Sequence, residues 1–448
     1  MQDSPPRGPA STDDKIDYAC DIIDRCLATH LWYSVSEARN LTRISRAVLM
    51  PAQPRSNRFR LPEPPLTAST KIPFIDLQSQ YRRLKPSIER RIQRVLDHGQ
   101  YILGPEVMEL ERALAAFSGA RDVVTVASGT DALRLPLMAE SIGPGDAVFL
   151  PAFTFTATAE VPVALGASPV FVDVDPTTFN IDPASLEFQI ARIRREGRLR
   201  PRAVIAVDLF GLPADYDRLG EICHREGLFL LADAAQSFGA SLGGRRVGSL
   251  APVTATSFFP AKPLGGYGEG GAIFTDDPAR AAIYRSLRAH GAGENRYDIV
   301  RIGTNARLDT LQAAILLAKL EVFEDELAAR ERIAQDYDHL LAGHVAVPPR
   351  RPGATSAWAQ YCILVKDRDR VAQALADAGI PTAIYYPKPL HFQPAFRQYG
   401  DGTGSLPVSE RLCLNILALP MHPYLDRETI ERIAGTVIAA VTVPAVKT

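Results

Sequence analysis

A lysine set between two apolar runs, in SFFPAKPLGGYGEGGAIF (257–274), is placed for chemistry that a surface lysine does not perform. Apolar neighbours leave the Lys262 ammonium poorly hydrated, which lowers its pKa and favours the neutral amine that attacks carbonyls. Asp233 and Gln236 close an earlier run, LFLLADAAQSFGA. A carboxylate at the end of a buried strand is costly unless paired, so Asp233 either faces a cationic partner or caps the following turn. SGTDAL (128–133) follows another apolar run and opens a helix-like segment. Its backbone N–H groups and the Ser128 and Thr130 hydroxyls can face an anion such as a phosphate, or serve as an ordinary helix N-cap.

Taken together, a lysine for a Schiff base, a carboxylate for a protonated pyridine nitrogen, and a phosphate cradle with Ser257 beside it are the equipment of a pyridoxal 5′-phosphate (PLP) site. The glycines of GGYGEGG are expected to let the backbone turn sharply and pass close to the cofactor.

The elements that must position these groups are legible as a rhythm. From Ile72 onward, strand-like runs VVTVAS (123–128), AVFLPAF (147–153), PVFVDV (169–174), AVIAVDLFG (203–211) and LFLLADAA (228–235) alternate with helix-like segments. That alternation predicts an α/β fold with a largely parallel sheet covered by helices, and catalytic groups where the strands end. The run TATSFF places Lys262 and Asp233 at neighbouring strand ends. LDTLQAAILLAKLEVFEDELAARERIAQDYDHLL (308–341) predicts one long amphipathic helix bridging out of the main domain. Beyond it, 359–367, 371–380 and 426–441 suggest a smaller α+β domain. The expected domains are therefore 71–310, a large cofactor-binding α/β domain, and 311–448, the bridging helix and small C-terminal domain. Residues 1–70, rich in Pro, Ser and Arg around a weak helical pattern, are expected to be a poorly ordered extension.

Composition excludes other classes. Lys and Arg total 50 against 51 Asp and Glu, so no global basic field exists to hold nucleic acid or an anionic membrane. Cys20, Cys26, Cys223, Cys362 and Cys413 are an odd, scattered set without a CxxC, arguing against a disulfide framework or a zinc site. No metal is expected, and no apolar run is long enough to span a membrane. A reducing cytoplasm fits.

FIDLQSQYRRLKPSI, QYILGPEV, SGTDALRL, PAFTFTATAEV, LLADAAQSFGA, TSFFPAKPLGGYGEGGA, NARLDTLQAAIL and YYPKPLHFQPAF occur in the order seen in the DegT/DnrJ/EryC1/StrS family of nucleotide-sugar aminotransferases. The chain resembles that family over residues 72 to 443, and most of all its enzymes that aminate C3 of UDP-2-acetamido-2-deoxy-3-keto-glucuronic acid. The resemblance implies a fold-type I PLP enzyme, a homodimer with active sites at the subunit boundary, and glutamate as amino donor to a UDP- or dTDP-linked keto sugar. It implies a role in cell-surface polysaccharide synthesis, such as that of lipopolysaccharide O-antigen. By the same resemblance, Lys262 matches the Schiff-base lysine, Asp233 the pyridine partner, Gln236 a residue beside the ring, and Phe155 the aromatic stacked on it. Gly129, Thr130, Asp131 and Ser257 match phosphate or cofactor contacts. Asn305 matches an asparagine that reaches the phosphate from the neighbouring chain. Phe155 also reads as plain core, and Asn305 as a turn residue.

Arg307 suits a uronic acid, whose carboxylate a bidentate guanidinium recognises well. A surface ion pair is its other reading. Tyr386 and His391 match positions near the sugar. Four features depart from the family pattern: Tyr385 where many relatives have His, Gly265-Gly266-Tyr267-Gly268 where relatives often read GCYG, Asp208 where many carry another polar residue, and the front extension. The rival activities are amination at C4 of a 4-keto-6-deoxy sugar nucleotide, a non-catalytic PLP-binding regulator, and a sugar dehydratase. The dehydratase branch replaces the lysine by histidine, so Lys262 argues against it.

Overall fold

Five of the apolar runs form strands: β1 (Asp122–Val126), β2 (Asp146–Pro151), β3 (Ser168–Val172), β4 (Arg200–Val207) and β5 (Phe229–Asp233). A short hairpin, β6 (Ser241–Leu242) and β7 (Arg245–Arg246), separates them from β8 (Val253–Ser257) and β9 (Gly271–Thr275). The chain is seen in a computed structural model that describes residues 72–442. The extension and its weak helix lie outside the described residues.

β1 to β5, β8 and β9 make one seven-stranded sheet in the order β1-β9-β8-β5-β4-β2-β3. β2 pairs in parallel with β3 and β4, β4 with β5, and β5 with β8, while β9 runs antiparallel between β8 and β1. The strands read as nearly unbroken apolar runs because both faces are covered. Alternation along β4 shows this: Ala203 and Ile205 pack under the helices Gly129–Ala139 and Ala157–Ala164, whereas Val204 and Ala206 pack under Pro183–Glu196 and Tyr216–Glu226. Truncating a side chain such as Ile205 or Leu231 to Ala costs about 2–5 kcal/mol.

Parallel strands that share a direction bring their C-terminal ends to one edge. Asp233 on β5 lies opposite Ala255 on β8, so Ser257 and the following Lys262 emerge beside it, as TATSFF suggested.

The 308–341 stretch is not one helix. It forms Thr310–Leu320 and Phe323–Leu341, broken at Glu321 and Val322. The break lets Phe323 enter the core against Phe117 and Phe238, and Glu324, Asp325 and Glu326 complement the new N-terminus. Beyond it, β10 (Ala354–Thr355) joins β6, while β11 (Tyr361–Leu364) and β12 (Ile416–Leu419) form an antiparallel pair. That pair packs with Phe323–Leu341, Arg368–Asp377 and Arg427–Thr442 in a second apolar cluster. No helix among the described residues is long and apolar enough to cross a membrane.

Candidate active site

A cavity of about 630 Å³ opens at the C-terminal ends of β4, β5 and β8. Its wall includes Gly129, Thr130, Phe155, Asp233, Gln236, Ser257, Lys262 and Tyr386, eight of the residues singled out from sequence.

Asp233 is 6% exposed. The Thr158 hydroxyl donates to its Oδ2 at 2.9 Å and the Ala235 N–H to its Oδ1 at 3.3 Å. Burial raises its pKa, against the pull of those donors and of Lys262. Lys262 is largely enclosed, and loss of hydration pulls its pKa down, opposed by Asp233 and Glu269. The two desolvated side chains share the cavity wall, and the Ala235 N–H bond to Asp233 is the turn-capping contact of the alternative reading. Gln236 is fixed from both ends: its Oε1 accepts from the Phe210 N–H at 2.6 Å and its Nε2 donates to the Tyr386 hydroxyl at 3.2 Å.

At the opposite wall, the helix Gly129–Ala139 begins. Ser128 acts as its N-cap, accepting from the Asp131 N–H at 3.0 Å, so the capping reading of that hydroxyl is the observed one. Gly129 and Thr130 remain on the wall, and the first N–H groups of a helix have no intrahelical acceptor. A Cβ on Gly129 would fall 2.7 Å from the Ser257 Cβ, so glycine is what lets this N-terminus close on Ser257. Phe155 is 56% exposed beside Tyr386, with ring centroids 6.3 Å apart, and is not a core residue.

Four candidates are not brought to this cavity. Asp131 is held by the Ser128 hydroxyl at 3.0 Å and pairs with Arg134. His391 is 2% exposed, its Nε2 lying 3.3 Å from Glu410 between Phe171 and Phe392. Asn305 and Arg307 line a second, open cavity of about 390 Å³ with Glu269 and Gln312. There the Arg307 Nε donates to Asn305 Oδ1 at 3.0 Å, and among the described residues Arg307 forms no ion pair.

Thr158, Glu269 and Gln360 were not singled out from sequence. Thr158 lies three residues beyond Phe155 in TFTAT, and only the fold aims its hydroxyl at Asp233. The chain does turn here, the Gly266 N–H returning to the Phe258 carbonyl at 2.8 Å, and none of the five glycines of GGYGEGG has a positive φ. A Cβ on Gly265 would lie 2.5 Å from the Pro260 carbonyl oxygen, and one on Gly271 2.5 Å from that of Ser128, so they permit close packing of backbone on backbone.

The DegT/DnrJ/EryC1/StrS aminotransferase family model matches residues 83–438. The chain belongs to this family. This aminotransferase is 48% identical over 365 residues to UDP-2-acetamido-2-deoxy-3-oxo-D-glucuronate aminotransferase of Pseudomonas aeruginosa, covering 81% of this chain and 99% of the relative. A solved family member from Brucella abortus is 51% identical with a TM-score of 0.81, covering 82% of this chain and 99% of that one. The structure of NtdA from Bacillus subtilis with bound cofactor PMP, 28% identical, has a TM-score of 0.75 over 83% of this chain and 86% of that one. The fold of this aminotransferase is accordingly that of the fold-type I PLP transferases.

Proposed function

We propose that this aminotransferase, with PLP as its cofactor, transfers an amino group from glutamate to C3 of UDP-2-acetamido-2-deoxy-3-keto-glucuronic acid. The observation that carries the reading is the pairing of a desolvated Lys262 with a buried Asp233 across one cavity.

The residues present fit the cofactor. A buried carboxylate stands where a protonated pyridine nitrogen needs a counter-charge, an enclosed amine stands where a carbonyl is to be held, and a helix N-terminus that only glycine allows supplies N–H groups for a phosphate. Lys262 would hold the aldehyde, Asp233 the pyridine nitrogen, Phe155 and Gln236 the ring, and Gly129, Thr130 and Ser257 the phosphate. When bound, PLP supplies an electron sink for the carbanion formed at an amino acid α-carbon.

With the cofactor bound, Lys262 would serve as the general base toward the glutamate Cα proton and then as the general acid that returns it. Its depressed pKa makes the neutral form available for the first of these. Asp233 would keep the pyridine nitrogen protonated, its carboxylate held by the Thr158 hydroxyl. Two half-reactions in one site predict ping-pong kinetics.

The active enzyme is a homodimer with shared sites. Tyr101, Ile102, Leu103, Tyr297, Ile299 and Ile302 are exposed apolar side chains of the kind that marks an interface, and Ile102 lines the cavity that holds Asn305 and Arg307. Asn305 then reaches the phosphate, and Arg307 the uronate carboxylate, of the neighbouring subunit's site. This arrangement explains why neither faces the cavity of its own chain. Tyr386 contacts the sugar from within the chain.

The test is to offer the enzyme the 3-keto glucuronate and a 4-keto-6-deoxy sugar nucleotide separately, with glutamate, and locate the new nitrogen by NMR. Amination at C3 of the uronate alone is expected; amination at C4 of the deoxy sugar overturns the substrate assignment.

A further inference from the structure

We infer that Asp208 is a positioning residue: a second buried carboxylate, set behind Asp233, that fixes the turn carrying Gln236 and adds its negative charge to the field at the cofactor's nitrogen-facing wall. The inference rests on the PLP reading above.

Asp208 is 0% exposed and does not line the cavity, where the wall at the end of β4 is Val207. Its backbone N–H donates to the Asp233 carbonyl at 3.0 Å, so the two residues sit side by side on adjacent strands. Three donors converge on its carboxylate. The Ala214 N–H (2.8 Å) and Tyr216 hydroxyl (2.6 Å) reach Oδ1, and the Ser237 hydroxyl (2.6 Å) reaches Oδ2. Ser237 adjoins Gln236, which is itself tied to the Phe210 N–H. The carboxylate therefore clamps the turn after β5 to the turn after β4, with Gln236 held between them.

Among the described residues no cation pairs with this carboxylate. The titratable groups facing Asp208 are Tyr216, at the start of its helix, and Asp233, at the end of β5. Burial pushes the Asp208 carboxyl up to about 7, with Ser237, Tyr216 and Ala214 pulling it down and Asp233 adding to the rise. Its negative charge thus grows as the pH rises through neutrality. A nearby anion favours the protonated form of a neighbouring group. Above neutral pH, Asp208 reinforces Asp233 in holding a proton on the bound cofactor.

The experiment follows the visible band of the PLP-bound protein from neutral to alkaline pH in wild type, Asp208→Asn and Tyr216→Phe. In Asp208→Asn the band should be lost at a pH lower by about 0.5–1 unit, the two proteins coinciding on the acid side. Tyr216→Phe removes one donor, raises the Asp208 carboxyl further, and should shift the midpoint the same way by less. An Asp208→Asn protein that titrates at the wild-type midpoint overturns the inference. If that variant does not fold, an unchanged midpoint in Tyr216→Phe overturns it equally. A wild-type protein that gives no band with PLP overturns the cofactor reading itself, a result distinct from a normal band indifferent to Asp208.

Discussion

Lys262 and Lys319 are both withdrawn from water, yet the regions around them differ in kind. Lys262 sits at the meeting of strand ends, on the wall of an open cavity, with the carboxylate of Asp233 close by. Lys319 lies in the helix Thr310–Leu320, 1% exposed, its Nζ 4.1 Å from the centroid of the Tyr267 ring and without a hydrogen-bond acceptor among the described residues. Burial pulls it down to about 7, and the acid acting on it, Glu326, is already taken by Gln80 at 2.9 Å and by Tyr424. Depressed basicity is common to both. What separates a reactive amine from a packed one is access to a cavity and a partner placed to hold the other end of a ligand.

The comparison breaks most clearly by removing each lysine. Lys262→Ala should lower the rate of amino transfer by about 10³-fold or more, whereas Lys319→Met should leave the cofactor chemistry in place. Steady-state kinetics of both variants with glutamate decide this. Next in size, Asp233→Asn should cost about 10²-fold in kcat, because the site loses the fixed charge that stabilises the protonated ring.

The third prediction sharpens the Lys319 side. Its folded pKa, about 7, lies below the usual lysine value of 10.5. Between those values the unfolded chain holds a proton that the native chain lacks, so this residue makes stability rise with pH across that window. Below it, a buried unpaired ammonium is an uncompensated cost. Lys319→Met should therefore raise stability at neutral pH by about 1–3 kcal/mol and flatten the rise, as read from urea denaturation at several pH values. The smallest effect is expected from Phe155→Leu. Loss of a stacking face should weaken PLP binding by about 3–10-fold, measured by cofactor titration.

The lysine that sequence reasoning singled out and the one it passed over show what a chain makes legible. Unbroken apolar runs ending in a polar residue announce buried parallel strands and their functional edge, so Asp233, Ser257 and Lys262 could be read together, and motif order supplied Gln236 and Phe155. Lys319 was hidden because AAILLAKLE reads as an amphipathic helix with a solvated lysine. Only the tertiary placement of Tyr267 and the helix Leu77–His98 turns that lysine inward. The break at Glu321 and Val322 was missed for a similar reason. It carries no Gly or Pro, and the run of Glu324, Asp325 and Glu326 was its one local sign. Thr158 and the clamp around Asp208 depend on hydrogen bonds between segments distant in sequence, which no spacing records.

The central claim is that Lys262, and not merely a buried lysine, carries the chemistry. Visible spectra of the purified wild type and of Lys262→Ala with PLP, before and after adding glutamate, test it most directly. The account predicts a visible band in wild type that glutamate converts to the pyridoxamine form, with no such band in Lys262→Ala. A band that persists and still responds to glutamate in Lys262→Ala would contradict it.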